Sequence, residues 1–188
     1  MTKALLLSPL LTEGQCQGEV SAADLAAAQA FVSQRRREEF LSWRTLLYNY
    51  LQQQVEIAYH AGAPIVVSDD NINIGVSHTV DMVAVAVSDR ACAVDIERID
   101  RDVERISERF FTASERLLAQ NNIARVTIWC ARECYYKLRR DSSLALLSDI
   151  SVTALDFESE EVVVEDCRGG REIMKIKQTA EHIVVYTL

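Results

Sequence analysis

In "RACAVDIERID", residues 90–100, two carboxylates, Asp95 and Glu97, interrupt an apolar run at alternate positions. On a strand, residues i and i+2 leave the same face. The pair can therefore offer hard oxygen donors to one divalent cation such as Mg2+, an ion that also suits substrate phosphates. The plainer alternative is the solvated face of an amphipathic strand. A second run, "WCARECYYKL", residues 129–138, places Glu133 and Lys137 four apart. On a helix these share one side. They supply either a carboxylate for metal or proton abstraction and a cation for developing negative charge, or an ordinary surface ion pair. Trp129 reads as core packing that fixes this helix against a sheet.

Two further groups could meet a phosphate. Ser77 and His78, in "GVSHT", sit where one strand ends and the next begins, and could donate hydrogen bonds or simply cap a turn. Arg37 and Arg44, in "RREEFLSWR", lie two helical turns apart on one side, as bidentate phosphate donors or as solvated arginines. There is no Gly-rich phosphate loop: "CRGGR" lacks the strand–loop–helix context and the lysine of one. The five cysteines (16, 92, 130, 134, 167) have no zinc-type spacing, and Cys130 and Cys134 read as buried helix residues. An odd cysteine count points to reduced thiols in a cytoplasmic setting. "KALLLSPLL" is short for a targeting segment and reads as a first strand.

The elements that must position these residues follow from periodicity and caps. "SAADLAAAQAFVS" is an Ala-rich helix opened by a Ser21/Asp24 capping box. Phe40, Trp43, Leu47, Tyr50, Leu51, Val55 and Ala58 recur at helical spacing and predict one long helix through "RRREEFLSWRTLLYNYLQQQVEIAY". "HAGAP" and "SDDN" are turns, "INIGV", "DMVAVAVSD" and "RACAVDIERI" strands, and "VERISERFF" a helix. Thr112 and Glu115 open a further helix, "TASERLLAQNN", which ends at its Asn pair, and "RVTIWCARECYYKLRR" is another. The tail, from "DISVTALDFE" to "HIVVYTL", reads as an antiparallel meander with "CRGGR" as a hairpin turn. Helices running into paired strands occur twice, an internal echo of two α+β halves, 1–88 and 89–188. At 188 residues, 49% hydrophobic and 26% charged, the chain is of ordinary globular composition. Its formal net charge of -8 disfavours general binding to nucleic acid or anionic membrane.

Taken in order, these segments resemble a 4′-phosphopantetheinyl transferase of the surfactin-synthetase-activating (Sfp-like) type. "AVDIE" and "WCARECYYK" are similar to that family's G-[IV]-D-[IV]-E strand and W-[ST]-x-K-E-[AS]-x-x-K helix. "REEFLSWR", "GAP", "VSHT" and "RFFTASE" resemble its other motifs, in the family's order, from about Arg37 to Lys137. Departures are Ala63 for the lysine of G-K-P, Arg132 for the lysine before the catalytic Glu, Ala93 for a glycine and Cys130 for Ser or Thr. The chain is also short for an Sfp-like enzyme.

The resemblance implies two α/β halves related by pseudo-twofold symmetry, antiparallel sheets packed with helices, and coenzyme A bound between the halves. It implies Asp95, Glu97 and Glu133 as Mg2+ ligands and Lys137 on the leaving phosphate charge, with Glu133, or a metal-bound water that it positions, as the candidate base. His78, with Ser77, Arg37 and Arg44, would contact coenzyme A. The partner it implies is an acyl or peptidyl carrier protein, and a pseudo-dimeric chain can act as a monomer. Such carriers are acidic around the modified serine, so Arg139 and Arg140, or Arg35–Arg37, are the expected docking patch. Ala63 and the chain length keep open a second reading, a catalytically weak relative that binds coenzyme A or a carrier without transfer.

Overall fold

The computed structural model describes residues 3–67, 69 and 71–188, and the chain divides into two compact units, Met1–Ala91 with Leu188, and Cys92–Thr187. In the first unit the order is β1 (Ala4–Pro9), α1 (Glu13–Cys16), α2 (Ala22–Ala28), α3 (Gln34–Leu51), β2 (Ile57–His60), β3 (Ala63–Val66), β4 (Asn73–His78) and β5 (Met82–Ser88). The three-stranded antiparallel sheet has the order β1-β5-β4, and α3 packs on β1 and β5. "KALLLSPLL" thus forms the edge strand β1. Alternation in "MVAVAVS" turns Val83, Val85 and Val87 toward Leu41, Leu47 and Tyr48 of α3, and these residues form the unit's core. Each such side chain, once buried, contributes about 1.5–3 kcal/mol.

The long helix is shorter than its periodicity predicts. It stops at Leu51, where Gln52 takes the left-handed conformation (φ 56°) and its N–H caps the Tyr48 carbonyl. Residues 57–60 then pair with 63–66 as a hairpin, turning through Ala61 (φ 48°) and Gly62 (φ 80°). Two consecutive positive φ values are what a tight two-residue hairpin turn requires. The helical spacing of Val55 and Ala58 was therefore coincidental. Positions 68 and 70 of the expected "SDDN" turn lie outside the described residues; there, Asn71 N–H donates to Asp69 Oδ1 at 2.9 Å.

The second unit runs β6 (Ala93–Arg98), α4 (Glu104–Phe110), α5 (Ala113–Leu118), α6 (Asn122–Arg139), β7 (Ile150–Asp156), β8 (Glu161–Asp166), β9 (Arg171–Gln178) and β10 (His182–Thr187). Its five-stranded antiparallel sheet has the order β6-β10-β9-β8-β7, so the expected meander is joined by the motif-bearing β6 at its edge. The 18-residue α6 packs on β6, β10 and β7. Val126, Cys130 and Cys134 recur every fourth residue, and with Ala131 and Tyr135 they meet the sheet's Val152, Val162, Met174 and Val185. The helix starts earlier than its apolar run suggests. Asn121, expected to end the preceding helix, instead caps α6 by accepting from Ala124 N–H at 2.9 Å. Thr112 and Glu115 form the expected capping box of α5. The architecture is mixed α+β, antiparallel sheets packed with helices. Among the described residues no helix is long and apolar enough to cross a membrane.

The "CRGGR" hairpin is held by Asp166. Its Oδ1 accepts from the N–H groups of Arg168 and Gly170, both at 2.9 Å, and its Oδ2 accepts from the Tyr135 hydroxyl of α6 at 2.8 Å. A Cβ at Gly170 would run into that carboxylate and the hydroxyl. Gly170→Ala is accordingly expected to cost about 1–3 kcal/mol by overpacking, seen as a lower urea midpoint. A midpoint equal to wild type would show the turn has slack.

Candidate active site

β6 and α6 bring the acidic residues together within the second unit. Asp95, opposite Val185 in the ladder, has a side chain only 6% exposed, and its Oδ1 accepts from Lys137 Nζ at 2.6 Å. Nζ also reaches the Val94 carbonyl at 3.4 Å. Burial pulls the Lys137 ammonium toward lower pKa, but the Asp95 carboxylate outweighs it and the net shift is upward, keeping the cation charged. Glu133, one turn earlier, is shifted upward too. Burial is the main cause and Asp95 the next, with Lys137 and Arg101 opposing. Beneath Asp95, Cys130 and Cys134 are buried, and burial first, then Asp95, pushes both thiols up. They stay protonated, so neither is a nucleophile here.

Glu97 lies two residues along the strand, its side chain 14% exposed. Its Oε1 accepts from Trp129 Nε1 at 3.2 Å and from Arg101 Nη1 in the turn after β6. The Arg101 guanidinium also lies 5.4 Å from the centre of the Trp129 ring, a cation–π distance. Trp129 therefore does more than pack: it fixes a carboxylate. Among the described residues, Asp95, Glu97 and Glu133 do not each bring an oxygen within 4.8 Å of the others. Lys137 and Arg101 sit on two of them instead.

Arg132, which stands next to Glu133, points elsewhere. Its Nε and Nη2 grip both oxygens of Glu115 at 2.8 and 2.5 Å, and the two side chains are 1% and 0% exposed. Glu115 also accepts from the N–H groups of Val152 and Thr112, and Arg132 donates to the Leu147 and Phe110 carbonyls. Every strong hydrogen-bonding group of this ion pair has a partner. The "RFFTASE" and "WCARE" segments are thus joined by one buried pair that holds α5 and β7 against α6.

A family model for the 4′-phosphopantetheinyl transferase superfamily matches residues 91–185. The chain belongs to this superfamily. The match spans β6 through most of β10, the stretch that carries Asp95, Glu97, Glu133 and Lys137, and it brings with it a phosphopantetheine transfer function. No curated protein matches the chain.

The transferase's remaining expected contacts lie in its first unit, outside the matched stretch. His78 Nε2 is 3.2 Å from Arg36 Nη1, and its Nδ1 is 3.5 Å from Glu39 Oε1. Glu39, 4% exposed in its side chain, is also bound by Arg35 at 2.9 Å and Arg36 at 2.6 Å. Ser77 is buried beside them on β4. Arg37 ties Glu13 at 2.8 Å to the carbonyls of Phe31 and Val32. Arg44 is 3% exposed, bound to Asp24 at 2.9 Å, the Phe40 carbonyl and the Tyr59 hydroxyl, and stacked 3.4 Å over the Phe40 ring. In this arrangement Arg44 holds α2 and β2 to α3. Ala63 is the first residue of β3.

Arg36, beside His78 in the first unit, and Arg101, on Glu97 in the second, are cations the motif spacing passes over. Arg36 could have been found as the second residue of an RRR run one turn before Glu39. Arg101 carries the signal of a Glu97/Arg101 spacing of four, which suggests a helix pair rather than a turn after a strand.

In chemistry, though not in the present spacing of their oxygens, Asp95, Glu97 and Glu133 suit a hard dication. These carboxylates, on adjacent elements and half or more withdrawn from water, with Glu133 shifted upward beside Asp95, form a charge conflict that a bound dication would relieve. Two protein cations already offset part of it.

Proposed function

We propose that this is an Sfp-like, Mg2+-dependent enzyme that moves 4′-phosphopantetheine from coenzyme A to a serine of an acyl or peptidyl carrier protein. The observation that carries the reading is the placement of Lys137 on Asp95, beside Glu97 and Glu133, within the superfamily-matched unit. Asp95, Glu97 and Glu133 are the proposed metal ligands. Bound Mg2+ would supply Lewis-acid polarisation and a template for the diphosphate.

The chain's own residues supply the rest. Glu133, with a carboxyl pKa raised by burial and by Asp95, is the group we assign to accept the serine proton, since a base works best when its pKa lies nearer the working pH. Lys137 stays charged and meets the negative charge that develops on the departing 3′,5′-adenosine bisphosphate. His78, with Arg36 beside it, is the proposed phosphate contact of the first unit, with Ser77 and Arg37 as flanking groups. Arg44 we assign to scaffold. Arg139 and Arg140, at the exposed end of α6, are the proposed docking cations for an acidic carrier.

Incubation of the purified protein with apo carrier, coenzyme A and Mg2+ is expected to add one phosphopantetheine mass to the carrier, and Glu133→Gln to abolish the gain. A carrier that a known transferase modifies but this protein leaves unchanged would overturn the reading.

A further inference from the structure

Arg101 is engaged in a way that neither transfer chemistry nor packing requires. It follows β6 by a tight turn, its N–H bonding back to the Arg98 carbonyl at 3.1 Å. Asn122, at the start of α6, pins that turn by donating to the Ile99 carbonyl at 2.6 Å and the Arg101 carbonyl at 3.4 Å. The backbone is thus fixed while the side chain, 38% exposed, spans Glu97 and the Trp129 ring. Glu97 accepts from Arg101 and Trp129 through the same oxygen, Oε1. An arginine on a fixed turn, more than a third exposed, is well placed to leave without disturbing the strand.

We propose that Arg101 is a resident counter-ion that occupies Glu97 in the metal-free protein and is displaced when a divalent cation binds, so that it sets metal affinity. It is a positioning residue, and the proposal rests on Glu97 being a metal ligand as argued above. Lys137 is the corresponding cation on Asp95, but at 33% exposure and on a helix it is less able to leave. The two differ in consequence. Displacing Arg101 frees one oxygen donor and releases the cation from the Trp129 ring, which changes the environment of a fluorophore.

The chain has two tryptophans, so Trp43→Phe leaves Trp129 as the reporter. Full-length protein in that background is titrated with Mn2+, with free ion counted by electron paramagnetic resonance and Trp129 emission followed in parallel. Mn2+ should shift Trp129 emission in step with binding. Arg101→Met should bind Mn2+ about fivefold more tightly, the order expected when a partly exposed ion pair no longer competes. It should begin with emission already close to the metal-bound value. Arg101→Lys should stay within about twofold of wild type, since it restores the competing charge. Glu97→Gln should lose the site and make Arg101→Met silent. If Glu97→Gln abolishes binding but Arg101→Met binds Mn2+ no more tightly than wild type while retaining its circular dichroism, the counter-ion role is overturned and the metal reading survives. If wild type and Glu97→Gln bind alike, both fall together.

Discussion

Glu115→Gln is expected to destabilise the second unit by about 3–5 kcal/mol, because it leaves the Arg132 guanidinium buried without a counter-charge. That is a large share of the about 5–15 kcal/mol that holds an ordinary domain together. The glutamine can still accept one of the backbone N–H groups of Val152 and Thr112, so the loss is chiefly electrostatic. Two controls separate this from a general packing defect. Pairing Glu115→Gln with Arg132→Met removes the stranded charge and should recover part of the loss, even though the Leu147 and Phe110 carbonyls lose a donor. The second control is pH. Burial alone would raise the Glu115 carboxyl, but the bonds from Arg132, Val152 and Thr112 outweigh it, and its folded pKa lies below the ordinary 4.5. A depressed folded pKa gives stability that is fully present above the unfolded value and is lost as pH falls below it, toward the folded value. Urea midpoints of wild type and Glu115→Gln should therefore differ most at about pH 5.5–7, one unit or more above the ordinary carboxylate range, and converge in more acid solution. A single-mutant cost below about 1 kcal/mol at neutral pH would be the value for an exposed pair, and would refute the buried one.

That ion pair also marks the limit of what the residues reveal on their own. Asp95 and Glu97 on one strand face, and Glu133 and Lys137 on one helix face, are legible because strand and helix periodicities fix the direction of neighbouring side chains. Capping boxes at Ser21 and Thr112 were legible for the same reason: both partners lie within four residues. The partners of Arg132, Arg44 and Trp129 lie in other elements, 17, 20 and 32 positions away. No local rule connects those, so a guanidinium stacked in the core reads in sequence like one that awaits a phosphate. The over-long helix has the opposite origin. Val55 and Ala58 continue the apolar period past Leu51, but a left-handed residue at Gln52 and the pairing of 57–60 with 63–66 override it. Periodicity records which residues become buried, and a half-buried hairpin strand can satisfy that condition as well as a helix.

Lys137→Met is expected to lower kcat for carrier modification by about 10²–10³-fold, the usual cost of removing a preorganised group aimed at charge that develops in a transition state. KM for coenzyme A should move far less, since an interaction gained only in the transition state appears in kcat. The fold should also lose some stability: the Lys137 side chain is a third exposed, but the Asp95 side chain is only 6% exposed and would be left without its cation, a cost of about 1–3 kcal/mol. Charge alone is not the whole requirement. The ammonium meets Asp95 at 2.6 Å and the Val94 carbonyl at 3.4 Å, and a planar guanidinium cannot reproduce that compact arrangement, so Lys137→Arg should recover only part of the rate. If Lys137 served only to neutralise Asp95, its loss would appear as tighter Mn2+ binding and lower stability while kcat at saturating metal and coenzyme A stayed within threefold of wild type, about 0.6 kcal/mol. A kcat that survives in that way would move Lys137 from the chemistry to the scaffold, leaving Glu133 as the group whose replacement must stop transfer.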